Sequence, residues 1–155
     1  MFRNKHLIIA MLVAPVLAIM AWFAVDYFVA ERPHAAREGA AYTLVAKSNC
    51  RYDSGQCDLE NGDFKLSIRP TSSTAGSLLL EMTSNFPLQS ATVGLVNDGL
   101  PAAPVSMEAT AENALLWVGR IDLPAGSNSE LRIAVTAQGA AWYAEVPTDF
   151  LDITN

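Results

Sequence analysis

From Leu7 to Val25 the chain reads LIIAMLVAPVLAIMAWFAV, 19 residues without a charge. Such a run has few places to go. As a helix rising 1.5 Å per residue it covers about 28 Å, close to the thickness of a bilayer's hydrocarbon interior. Tyr27 to Ala30 prolong it beyond Asp26. A secretory signal is the rival reading, because Arg3 and Lys5 give a basic start. Its apolar region runs only about 7 to 15 residues and ends at a small-x-small site. Here the run continues through Trp22 and Phe23, and a cut after Ala18 would leave IMAWFAV as an exposed terminus. The run also lacks a Cys that could carry a lipid. The sequence therefore predicts one uncleaved transmembrane helix over residues 7–30, preceded by residues 1–6 and lodged in the lipid bilayer.

Orientation is nearly balanced on charge, with Arg3 and Lys5 on one side and Arg32 and Arg37 on the other. The amino group and the cysteines tip it, since a Cys pair makes sense on the oxidising side. The expectation is a bacterial inner-membrane protein, its N-terminus cytoplasmic and its C-terminal domain periplasmic. Within the span, Ala10, Ala14 and Ala18 recur every fourth residue and so share a helix face, with Asp26 eight residues further on. Small residues so spaced let two helices approach closely in lipid. Alanine is also common in membrane spans generally, and Asp26 lies near enough to the interface to stay hydrated.

Glu31 to Ala41 (ERPHAAREGAA) has no apolar periodicity and reads as a linker over residues 31–41. Beyond it the pattern changes to period two. Phe64, Leu66 and Ile68 alternate with Lys65, Ser67 and Arg69, and Leu131, Ile133 and Val135 with Arg132, Ala134 and Thr136. Strands are expected at about 42–47, 64–69, 78–83, 91–96, 105–109, 115–121, 131–137 and 141–146, separated by turn residues such as Asn97-Asp98-Gly99 and Gln138-Gly139. The fold class is thus all-β, an immunoglobulin-like β-sandwich of seven to eight strands at residues 42–147 with a tail at 148–155. Trp117 and Trp142 are expected in its core, with one of the neighbours Trp142 and Tyr143 facing outward.

The segment SNCRYDSGQCDLENGDFKL holds both cysteines of the chain, Cys50 and Cys57, among four acids. A redox pair of the thioredoxin kind has two intervening residues and a helix N-terminus beside it; this pair has neither. Soft metals need further ligands, and beyond the span there are only His34 in the linker and Met82 and Met107 on different strands. A structural disulfide closing an eight-residue loop fits better, with Ser54-Gly55 supplying the reversal. Asp53, Asp58, Glu60 and Asp63 could offer oxygens to calcium, but their spacing is not that of a calcium loop.

Function is bounded mainly by exclusion. Residues 31–155 carry 15 acids and 8 bases, part of a net charge of -6, which argues against nucleic acid. No His stands where a nucleophile's base would be needed, and the sequence has no HExxH, phosphate loop or dinucleotide fingerprint. Neither an enzyme nor a bound cofactor is expected.

A resemblance enters in the C-terminal half. The segment LLWVGRIDLPAGSNSELRIAVTAQGAAWYAEV, in which an aromatic- and Gly-bearing strand runs through a Pro/Gly turn to a second strand and an aromatic closing strand, is similar to the FixH-like and YtkA-like envelope proteins. The likeness spans roughly Leu78 to Val146. It implies an anchored immunoglobulin-like domain and a role in assembling copper-containing respiratory oxidases. This chain departs from that role's chemistry in having no Cys-x-x-x-Cys and no Met/His-rich copper motif. The expected function is an accessory or scaffolding protein that engages a membrane or envelope protein. The alternative is a ligand or metal-ion binding module on the same sandwich.

Overall fold

The computed structural model describes residues 4–29, 36–74, 76–122, 124 and 128–151. The chain divides between Pro33 and His34 into two compact units.

The first unit is one helix, α1 (Lys5–Val29), continuous through Pro15. The Asn4 carbonyl accepts the amides of Leu7 and Ile8 and so starts the helical ladder two residues before the uncharged run. Apart from Asp26, the side chains from Leu7 to Phe28 are apolar or aromatic on every face and exposed, which suits lipid rather than a protein core. By length and composition, Lys5–Phe28 is able to cross a membrane.

The second unit is built from strands. In chain order they are β1 (Ala41–Thr43), β2 (Val45–Ala46), β3 (Cys57–Asn61), β4 (Phe64–Thr74), β5 (Ser77–Ser84), β6 (Leu88–Asn97), β7 (Leu100–Pro101), β8 (Val105–Ser106), β9 (Glu108–Ala109), β10 (Leu116–Asp122), β11 (Ser129–Ala137) and β12 (Ala140–Pro147). They form two sheets. One runs β1-β12-β11-β6-β7 with β8 also paired to β6, and the other runs β2-β3-β4-β5-β10-β9. We call them the first and second sheet.

Alternation dictates which residues meet between them. In β11, Ser129, Leu131, Ile133, Val135 and Ala137 are buried while Glu130 and Arg132 are exposed. Phe64, Leu66 and Ile68 of β4 do the same from the second sheet, and all these apolar side chains join one hydrophobic cluster. Register is set by tight turns. Asp98 and Gly99 (φ 47° and 79°) and Gln138 and Gly139 (φ 53° and 72°) are two-residue loops with both φ positive, the backbone that matches strand twist in a hairpin.

The two seams between the sheets are laced by strands that change sheet midway. Residues 41–43 pair parallel with β12, Leu44 turns inward, and residues 45–46 pair with β3. At the other seam, β8 pairs with β6, Met107 turns inward, and β9 pairs with β10. Gly119 makes room for that second crossing, since a Cβ there would lie 2.8 Å from Met107 Cγ. An aromatic stack fills one end of the core: Trp142 lies 4.6 Å from Tyr42 on one face and 4.6 Å from Phe64 on the other. Its indole N–H donates to the Ala137 carbonyl, as that of Trp117 does to Ala114. Tyr143, next in the strand, faces outward.

Several boundaries differ from expectation. Cys57–Asn61 is a strand rather than part of a loop, with Cys57 and Leu59 inward; its outward acids disguise the alternation. The short β7 is likewise additional. The domain starts before residue 42, because Ala36 packs against the core and the Gly39 amide donates to the Gly139 carbonyl. It also extends past residue 147, because Phe150 and Leu151, on a single 3-10 turn, are fully buried. The rest of the expected linker and tail, residues 31–35 and 152–155, lies outside the described residues.

Candidate functional site

The cysteine segment, chemically the most conspicuous part of the sequence, turns its chemistry inward. Cys50 and Cys57 are joined by a disulfide with Cα atoms 4.3 Å apart, and both residues have 0% exposure. Sulfurs out of reach of solvent do not exchange with a partner thiol, so this is a structural cross-link. Asp58 braces it. Its carboxylate accepts hydrogen bonds from Asn49, Gln56 and Ser67, each 2.8 Å, while its amide donates to Asn49 Oδ1. Partial burial pushes the Asp58 carboxyl up, but those three donors and the Lys47 charge outweigh it and hold the group below its ordinary value.

The other acids of the segment are dispersed. Glu60 pairs with Lys47 at 2.9 Å, and Asp53 and Asp63 are exposed in separate turns. Among the described residues no three His, Cys, Asp or Glu side chains gather as a metal site would require. Met82 and Met107 belong to the core, and His34 lies outside the described residues. Ala10, Ala14 and Ala18 lie on α1 at one-turn intervals along an unbroken helix, and Asp26 stands near its end.

The open feature is a groove of about 520 Å³ on the outer face of the first sheet. Its geometry follows from register. Thr92, Ala134, Tyr143 and Thr43 form one row across four strands; Gly94, Arg132 and Glu145 form the next; Val96 and Glu130 form the third. The residues after β7 fold back to make a wall. The Ala102 amide donates to the Leu95 carbonyl at 2.8 Å, and Pro104 comes within 3.9 Å of where a Gly94 Cβ would be. The floor is therefore small (Gly94, Ala134), one wall is Pro101, Ala102 and Pro104, and the other is Tyr143 with Thr43.

Charge enters in the row that holds Gly94. Arg132 Nε donates to Glu145 Oε2 at 2.8 Å across the strand pair. Glu130 lies diagonal to Glu145 on the same face, and hydrogen bonding with Glu145, its charge and some burial hold the Glu130 carboxyl above the ordinary value, Arg132 opposing them in part. Glu145 is itself held low, first by Arg132 and then by Glu130. The outer face of the second sheet differs: there Arg69 pairs with Glu81 and Lys47 with Glu60, over a charged surface. An open cleft with a small floor between proline and tyrosine walls can seat an apolar side chain.

Sequence reasoning did not single out this groove. Its signals were faint: outward small residues in ATVGLVN and RIAVT, two prolines after the Asn97-Asp98-Gly99 turn, and an outward Tyr143. Comparisons with family models, with curated proteins and with solved structures give no match. Function must be argued from the chain's own geometry.

Proposed function

We propose that this protein is an anchored accessory factor: a single inner-membrane helix, N-terminus cytoplasmic, displaying a periplasmic β-sandwich that holds a membrane or envelope protein through the groove on its first sheet. The groove carries the reading, being open, mostly apolar and built on paired strands, with the Arg132–Glu145 ion pair across it. A small-molecule carrier would need polar groups converging on the ligand, and Arg132 is already engaged by Glu145. The apolar helix supports attachment to a membrane and the buried disulfide supports an oxidising compartment.

The immunoglobulin-like assignment is part of the same proposal. Immunoglobulin domains place strands A, B, E and D in one sheet and C, F and G in the other. Taking β4, β5, β10 and β9 as A, B, E and D, and β6, β11 and β12 as C, F and G, reproduces that order. Here β2 and β3 extend the first of those sheets beyond A, and β1 adds in parallel to G. The respiratory-complex assembly implied by the FixH-like resemblance names a class of partner for such a domain.

The test is position-specific photocrosslinking in intact membranes. A benzoylphenylalanine at Tyr143 should capture a discrete partner, while the same group at Lys65, on the outer face of the second sheet, should not. Equal capture from both positions, or none from Tyr143, would remove the groove as the docking surface.

A further inference from the structure

The charges along the groove specify what the partner brings to it. Arg132 is one guanidinium beside two carboxylates: it donates to Glu145, and Glu130 is a second exposed acid on the same face, diagonal to Glu145 across the strand pair. Across the strands, Glu130 stands beside Val96, and Val96 in turn is paired with Pro101 of the groove wall. The acidic excess therefore adjoins the apolar cleft. It also agrees in sign with residues 31–155, where 15 acids outnumber 8 bases. A cation arriving there is drawn by the long-range field and removes a like-charge contact on docking. A second copy of this chain would bring more acid to the same place, so the field disfavours it.

Resting on the groove as the partner's docking surface, we propose that its occupant is an extended polypeptide segment with an apolar side chain over Gly94 and Ala134 and a Lys or Arg about two residues later beside Glu130. The spacing follows from the sheet. Rows on one face recur every second residue, so the cleft and Glu130 are separated by roughly 7 to 13 Å, which an extended peptide rising about 3.3 Å per residue covers in two to four residues, fewer with a long basic side chain. Proline and tyrosine walls suit an aliphatic side chain, and the aliphatic stem of Arg132 offers a further apolar edge.

The test uses the full chain in nanodiscs of neutral phosphatidylcholine, with alanine methyls labelled so that Ala102 and Ala134 report the groove by NMR. Three soluble probes are titrated: N-acetyl-Leu-Ala-Arg amide, N-acetyl-Leu-Ala-Glu amide and N-acetyl-Ser-Ala-Arg amide. The expected result is that Leu-Ala-Arg shifts both methyls and binds about three- to tenfold more tightly than Leu-Ala-Glu, the ratio exposed charges of this kind support. Glu130→Lys, a surface change that leaves the core untouched, should abolish that preference, and Ser-Ala-Arg should leave the methyls unmoved. Equal affinity for Leu-Ala-Arg and Leu-Ala-Glu would overturn the basic requirement while leaving an apolar docking groove intact. Equal binding of Ser-Ala-Arg would overturn the apolar requirement. If no probe moves Ala102 or Ala134, the inference fails, and photocrosslinking from Tyr143 decides separately whether the groove docks a partner at all.

Discussion

The cysteine segment and the groove are opposites in how they spend their polar atoms. In the first, Asn49, Ser54, Gln56, Asp58 and Ser67 hydrogen-bond to one another or to nearby backbone around a cross-link that no solvent reaches. In the second, the side chains are mostly small or apolar, one ion pair apart, and the surface stays open. A dense set of reactive residue types can therefore be wholly structural, whereas glycine, alanine and proline can build the surface left for a partner. The contrast makes a quantitative claim: changes at the cysteine end should cost stability, and changes at the groove should cost binding.

The largest expected effect is at the buried end. The 3-10 turn Asp149–Leu151 contacts the turn that carries Cys50, and Phe150 is fully buried there. Phe150→Ala should cost about 3 to 5 kcal/mol through lost burial and the cavity left behind. Urea denaturation against wild type measures it; a loss under 1 kcal/mol would show that this turn is not part of the core. Next comes the disulfide. Replacing Cys50 and Cys57 together by alanine should cost about 2 to 3 kcal/mol, the loop-entropy value for a loop this short. The same pair of substitutions should leave crosslinking from Tyr143 unchanged at temperatures where the variant is folded. If partner capture disappeared while the fold persisted, the cysteine end would have a role at the interface, and the contrast would collapse.

How much of this was legible follows from the range of the interactions. Alternation in β4 and β11 reads directly because each residue's side of the sheet depends on its own position in the chain. The strand Cys57–Asn61 hid because its outward residues, Asp58 and Glu60, resemble a loop's. The sheet changes at Leu44 and Met107 hid because nothing within a short apolar stretch says which sheet it joins. The groove is the extreme case: Gly94, Pro104, Arg132 and Tyr143 come from separate segments, and only register brings them together. Ends were misjudged for a related reason, since Ala36 and Phe150 are held by distant core residues and not by local pattern.

A smaller effect comes with a pH signature. The folded pKa of Asp58 lies below its unfolded value of about 3.9, so the ionised form is bound more favourably in the folded state. Its contribution is therefore complete above the unfolded pKa and is lost as pH falls through the folded one. Asp58→Asn replaces one of the two oxygens that accept from Gln56, Ser67 and Asn49 with an NH2 donor, and should cost about 1 kcal/mol near pH 7, allowing for partial exposure. The gap between variant and wild type should shrink as pH is lowered through the carboxylate range. A gap constant with pH would mean that shape, not charge, is what Asp58 supplies.

The smallest stability change belongs to the groove, and it is the most informative because it should be near zero. Tyr143 is 49% exposed and stands opposite Ala134 on β11 and Thr43 on β1, its backbone rather than its ring tying it to the sheet. Threonine keeps the β-branched preference of a strand position, so Tyr143→Thr should change stability by less than about 0.5 kcal/mol, the usual size for a surface substitution. The same change removes one wall of the groove and should weaken Leu-Ala-Arg binding while leaving the unfolding midpoint in place. A large loss of stability would place Tyr143 among the residues that build the domain and return the groove to the fold. Intact stability with intact binding would put the contact surface elsewhere on the first sheet, with Pro101 and Pro104 the next walls to remove.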